Sequence, residues 1–429
     1  MTDIENNPAE KNQRTYESIE VESNKSVPEL STNNYQIDCY KNDALILKKF
    51  IIWAICVVIC CSIELIYNRG VLSQEHPKYY RNVNAVYDYY FRFITHLGGE
   101  LFIIFIMVLS YFFLPLTKSN VMILGIISCN FLDNLMKMLY HEHRPFWNFE
   151  TKHDPPKCDM GFGHPSGHSF TSTFTYLGLY HVLSETNFLK NNIILNYIFL
   201  AIVIIIIVSI YISRVYLNFH SIAQVIYGGS LGFCVYALLF LVLRFHQINV
   251  QQYRNLFTKL KYIILISIIY FFVFGILLLT YLLFKHFQQA EYESNPNIQR
   301  CEKAEHRHFF NDGFFGGLTI FCLIGHYYGQ VLFWKLISKN TNLHNKHNDI
   351  NLWVDNRKHV FTDIKKLLKT IGIILLSAIP FVLYVIPFKG LAIVYVFKIA
   401  VPFFVCLFNF YGGGLYLMIS KGCCNKNLC

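Results

Sequence analysis

The run IILNYIFLAIVIIIIVSIYISRVYLNFH occupies residues 193–220, and its two parts decide the architecture. Residues 193–212 contain no acid and no base. About 20 such residues, rising 1.5 Å each as a helix, cross the roughly 30 Å hydrocarbon core of a bilayer. Directly after them come Ser213 and Arg214, then His220. Polar and ionisable groups at such a place are costly and mark function by default. The stretch is therefore read as a membrane helix whose end carries chemistry.

Working outward, the same length test predicts about ten spans, near 49–67, 98–116, 121–138, 168–185, 193–212, 221–243, 262–284, 313–336, 369–388 and 393–419. Several contain Gly or Pro, which membrane helices tolerate when neighbours satisfy the freed backbone groups. The fold class expected is all-α, a polytopic transmembrane helical bundle. Composition agrees. Only 15% of the chain is charged and 54% is hydrophobic, against roughly 25% charged in an average soluble protein. That excludes a disordered chain and argues against an ordinary water-soluble enzyme. The net charge of +10 accompanies long apolar runs, so it points to membrane surfaces and not to nucleic acid.

Residues 1–44 differ from the rest: they carry nine acids against four bases and are rich in Asn, Glu and Ser. They are expected to be a mobile acidic tail without the basic stretch and apolar core of a cleaved signal peptide. Loop charge sets the orientation, because basic loops stay cytosolic. Segment 335–369 holds eight bases and three acids, whereas loop 285–312 holds four bases and five acids. One span separates them. The N-terminus, Lys118, Lys190 and the C-terminal tail are then expected in the cytosol, with loops 68–97, 139–167, 213–220 and 285–312 in the lumen or outside the cell.

The thirteen cysteines do not form a disulfide framework, since most fall within spans, where Cys acts as a small apolar residue. Cys158 and Cys301 share the expected non-cytosolic side, which allows a bridge. Cys423, Cys424 and Cys429, beside Lys421 and Lys426, stand where reversible acylation would act, or form an unmodified tail.

Three polar clusters interrupt the apolar chain on that same expected side. They are Lys137 with Arg144-Pro145-Phe146-Trp147, the run Gly161 to His168, and Ser213-Arg214 with His220 and Gln224. Three cations, two histidines, a hydroxyl and a helix start suit a phosphate group. Guanidinium forks bind its oxygens in pairs, and a helix N-terminus offers free N–H groups. Two histidines can supply a nucleophile and a proton donor. Singly, each cluster also fits a headgroup anchor or a plain helix cap. Their order, spacing and common sidedness are what carry the reading.

Lys137-x6-Arg144-Pro145, Pro165-Ser166-Gly167-His168 and Ser213-Arg214-x5-His220 resemble the three-part signature of the type-2 phosphatidic acid phosphatase superfamily over roughly residues 90–245. The resemblance implies a six-helix phosphatase core within residues 45–245; the further transmembrane helices and short cytosolic tail expected over 246–429 come from the apolar runs and loop charge and not from the resemblance. It implies His220 as nucleophile and His168 as general acid. Lys137, Arg144, Arg214, Ser166 and the Gly167 backbone would form the phosphate cradle, with no metal and no other cofactor. Gln224 stands where the superfamily usually has Asp, and glucose-6-phosphatase and dolichyl-diphosphate phosphatase are similar in this respect. Arg144-Pro145-Phe146-Trp147 is similar to the former, and Tyr227-Gly228-Gly229 leans to the latter.

The expected activity is hydrolysis of a lipid phosphate or polyprenyl diphosphate through a phosphohistidine, or of a sugar phosphate. The endoplasmic reticulum or another endomembrane is the expected location, with the site on the luminal or extracellular face. The expected partners are the bilayer and the phosphorylated substrate. A catalytically silent phospholipid-binding protein is the reading from another class, opposed by the intact His168, His220, Arg144 and Arg214. A transporter is opposed by the one-sided motifs.

Smaller expectations complete the reading. Asp133, one turn before Lys137, is predicted to pair with it and orient its ammonium. Gln224 is predicted to orient His220 by accepting a hydrogen bond. His164, His141 and His143 are read as loop or headgroup-level residues, and His326 as an interhelical partner or a lining of the substrate path. Phe146 and Trp147 are read as a wall over the substrate or a generic aromatic belt.

Overall fold

The computed structural model describes residues 48–59, 62, 85–145, 161–248, 250–293, 313, 314 and 316–339. Cys158, Cys301, Phe146, Trp147, the last two expected spans and the C-terminal cysteines lie outside them. Among the described residues every regular element is helical. The order is α1 (Ala85–Leu97), α2 (Glu100–Phe113), α3 (Leu116–Tyr140), α4 (Gly167–Ser184), α5 (Asn187–Lys190), α6 (Ile193–Tyr216) and α7 (Ile222–Tyr236). A π turn (Ala237–Val242) and a 3-10 turn (Phe245–Gln247) then lead to α8 (Val250–Thr258), α9 (Leu260–Glu293) and α10 (Ile320–Lys339).

Among the described residues four segments are long and apolar enough to cross a membrane: Thr117–Tyr140, Ile193–Tyr216, Ile222–Gln247 and Leu260–Phe284. A fifth arises if α1 and α2, bent by 44° at Gly98-Gly99, count as one span. This corrects the expectation that 68–97 is a loop throughout, because residues 85–97 are helix. The length test is blind to α1, since Asp88, Arg92 and His96 break any apolar run, and Arg92 is paired to Asp88 at 2.6 Å.

α4 sits inside the bundle. Ser169, Ser172, Thr173 and Thr175 on it are all buried, so they face protein and not lipid. Two glycines of α7 explain how closely it is held. A Cβ built on Gly228 would stand 2.5 Å from the Ser166 carbonyl oxygen, and one on Gly232 would collide with the Phe170 carbonyl. Helices in lipid gain little from hiding apolar surface from one another, so close backbone packing through small residues is what joins them. From the other flank, Gly125 of α3 admits the ring of Phe174. Met122, Phe170, Phe174, Leu231 and Phe240 fill the space between α3, α4 and α7.

The periphery is the reverse. Ile198, Ile205 and Ile212 of α6 and Ile268, Phe271 and Phe272 of α9 are exposed large apolar side chains. Such a continuous apolar exterior needs lipid around it. The protein is an integral membrane protein.

Candidate active site

The three polar clusters converge at one end of α3, α4 and α7. Local rules bring them there. α6 ends in a Schellman turn: the Phe219 N–H donates to the Arg214 carbonyl at 3.1 Å and the Asn218 N–H to Val215 at 3.0 Å. The intervening Asn218 has φ 59°, the left-handed conformation that Gly and Asn adopt most readily. The turn folds His220 back beneath Arg214, whose carbonyl also accepts the His220 N–H at 3.3 Å. Asn218→Val places a β-branched residue there and should cost about 1–2 kcal/mol, whereas Asn218→Gly should be near neutral. Denaturation midpoints in detergent measure both.

Ser221 then starts α7 with a capping box. Its hydroxyl accepts from the Gln224 N–H at 3.3 Å, and Gln224 Oε1 accepts from the Ser221 N–H at 3.2 Å. The same Oε1 lies 3.3 Å from His220 Nδ1, while Gln224 Nε2 donates to the His143 carbonyl at 2.9 Å. This gives the departure from Asp a physical reason. One amide accepts from the imidazole and donates to the loop after α3, and a carboxylate could only accept. A Cβ on Gly163 would stand 2.8 Å from both Gln224 Nε2 and the His143 oxygen, so only glycine fits beside this amide.

His220 is buried, and its Nδ1 lies 2.8 Å from the Gly163 carbonyl. A carbonyl only accepts, so Nδ1 carries the proton and Nε2 keeps its lone pair. Nε2 faces Arg144 Nη1 at 3.4 Å. Burial first, then Arg144, Arg214 and Lys137, hold the His220 pKa well below the ordinary histidine value. The neutral, nucleophilic form is the one this environment favours.

Arg144, only 2% exposed, is fixed by donating Nε to the Gly161 carbonyl and Nη1 to the Phe219 carbonyl. Arg214 donates Nη1 to Thr95 Oγ1 at 3.0 Å, and its guanidinium lies 4.1 Å from the Phe219 ring centroid. Lys137 Nζ donates to Asp133 Oδ2 at 2.8 Å. A Cβ on Gly167 would stand 2.5 Å from that same oxygen, so the carboxylate lies against the start of α4. An ammonium partner and the positive end of a helix dipole together make an acid tolerable at this depth.

Ser166 caps α4 and is fully buried; its N–H donates to the Gln224 carbonyl at 3.0 Å and its hydroxyl accepts from Ser169 at 3.1 Å. This bond ties the second cluster to the third. His168 is the second residue of α4, with its ring against the Gly98-Gly99 break: a Cβ on Gly99 would stand 3.8 Å from His168 Nε2.

His164 is packed away. Tyr140 meets its ring edge-on, Tyr227 stacks on it at 4.8 Å, and Glu142 lies 3.3 Å from its Nδ1. His141 ends α3 in the left-handed conformation at φ 37° and packs near Phe162 and Phe284. His326 is buried in α10. The sequence reading missed Thr95, which has no motif around it. It also missed the Gly163 and His143 carbonyls, although Ser221-x2-Gln224 is itself a legible capping pattern.

Comparison with known proteins gives the chemistry a context. Residues 119–248 match the family model described as the PAP2 superfamily. The chain is also similar to the solved crystal structure of the first transmembrane PAP2 type phosphatidylglycerolphosphate phosphatase from Bacillus subtilis. They share 22% identity over 47% of this chain and 95% of that one, with a TM-score of 0.32. No curated protein matches.

Proposed function

We propose that this chain is a phosphoric ester hydrolase of the membrane, a reading supported by the match of residues 119–248 to the PAP2 superfamily model. Within that class we read a metal-independent phosphatase acting through a phosphohistidine. The observation that carries this is the fixed tautomer of His220, with Nδ1–H on Gly163 and the Nε2 lone pair turned to Arg144.

Nε2 attacks phosphorus as the bond to the leaving oxygen breaks, and His168 gives that oxygen its proton. Water then attacks the phosphorus of the P–N bond, losing its proton to His168, and Nε2 regains its lone pair. Arg144, Arg214 and Lys137, with Ser166 and the Gly167 N–H, stabilise the charge on the transferring group. Gln224 holds the His220 ring through Nδ1. Asp133 aims Lys137.

The favoured substrate is a lipid phosphate or polyprenyl diphosphate. Arg214 lies at the end of an apolar span whose other face meets lipid, which is headgroup depth. Loop charges favour a luminal or extracellular site; the membrane we propose is an endomembrane such as the endoplasmic reticulum. The test is phosphate release from phosphatidate, sphingoid-base phosphate, dolichyl diphosphate and glucose 6-phosphate, by purified protein with chelator present. Turnover of a lipid substrate, inhibited by vanadate, is expected. Release from glucose 6-phosphate alone would move the reading to a sugar phosphate phosphatase. Release from none would leave a silent phospholipid-binding protein.

A further inference from the structure

The helices that gather the phosphate residues at one end gather a different set at the other. Lys118 opens α3, His181 and Glu185 close α4, and His246 follows the π turn beyond α7. Lys118 and Lys137 are about 28 Å apart along α3 at 1.5 Å per residue, so this cluster is separate from His220. His181 and Glu185 stand four residues apart on one helix face. Arg244, at φ 47°, turns the chain so that His246 faces them.

We propose that His181, Glu185 and His246 form a binding site for a divalent transition-metal ion of the zinc type. His181 Nε2 lies 3.2 Å from His246 Nε2, and His246 Nε2 lies 3.2 Å from Glu185 Oε1. The three donor atoms all fall within 4.8 Å of one another. Two ligands bonded at about 2.0–2.1 Å in a tetrahedron are about 3.3 Å apart. Two imidazoles and one carboxylate suit zinc and its neighbours better than magnesium or calcium, and they leave a position for water.

The surroundings orient these donors. The Tyr236 hydroxyl lies 3.0 Å from His181 Nδ1. With Nδ1–H donating to that phenol oxygen, His181 keeps its Nε2 lone pair for the centre. Such outer partners fix tautomer and ring angle in metal sites. The His246 ring stacks on Phe240 at 5.3 Å. Lys118 holds Glu185 Oε2 at 2.7 Å, Oε1 is the oxygen that faces His246, and the Gln247 side chain also hydrogen-bonds this carboxylate. The side chains of Lys118 and Glu185 are 21% and 29% exposed, giving an entry path, whereas His246 is buried. The ammonium opposes a bound cation, so Lys118 limits the affinity.

The test is zinc titration of the full-length protein in detergent, after chelator treatment, against a chromophoric competitor. Cobalt(II) spectra report the geometry. One zinc per chain is expected, with a dissociation constant on the order of micromolar or tighter, and a tetrahedral cobalt spectrum. Glu185→Gln should weaken binding at least about tenfold and His246→Ala about a hundredfold. Lys118→Ala should tighten it. If His246→Ala does not fold, the partly exposed Glu185 and Lys118 still decide. No zinc bound, or binding that neither Glu185→Gln nor Lys118→Ala changes, overturns the site and leaves a proton-sharing network of the same residues.

Discussion

Replacing His220 with alanine should lower turnover by on the order of 10⁴-fold or more while the protein still inserts and binds phosphate. In the proposed mechanism the attacking atom is His220 Nε2, which keeps its lone pair and faces Arg144. The imidazole Nδ1 is tied to the Gly163 carbonyl and Gln224, and the charges of Arg144, Arg214 and Lys137 oppose protonation of the ring. Phosphate release at near wild-type rate would remove His220 from the nucleophile role.

The wild type should show a matching pH signature. Because burial and the cations depress the His220 pKa, kcat/KM should show no His220-linked decline near the usual histidine pKa of about 6.5, but only well below it. Stability follows the same sign. The unfolded chain takes up this proton first, so the contribution of neutral His220 is complete above about 6.5 and lost as the pH falls towards the depressed folded value.

Arg144→Lys should have the second largest effect, a loss of kcat/KM of about 10²- to 10³-fold. Lysine keeps the charge but not the planar fork. Arg144 uses Nε on Gly161 and Nη1 toward Phe219 and His220, and an ammonium on a flexible stem cannot hold both loops while facing Nε2. Activity within threefold of wild type would reduce Arg144 to a point charge. A parallel melting curve separates lost chemistry from lost folding, since the Gly161 carbonyl also loses its donor.

The sequence made some features legible because their physics is local. The acid-free run before Arg214 had to be a span, and Lys137, Arg144, Arg214 and His220 were marked by their cost in an apolar chain. Other features depend on contacts that no spacing reveals. α1 went unread because its charged residues hide a helix that joins α2 through a glycine break. Gln224 was legible as an acceptor for His220, but its bond to the His143 carbonyl uses a backbone group that any residue could supply. Thr95 supports Arg214 from a helix the pattern did not contain. The proposed phosphate cradle was marked by unusual side chains, and its supports, mainly main-chain carbonyls, were not.

Gly228 and Gly232 set α7 backbone against backbone with α4, leaving no side-chain layer in which these helices could slide. The helix that follows His220 and the Pro-Ser-Gly-His helix therefore behave as one rigid block. Adjustment to the proposed substrate would then fall to the side where α1 meets α2 at an angle and Thr95 holds Arg214 by its hydroxyl.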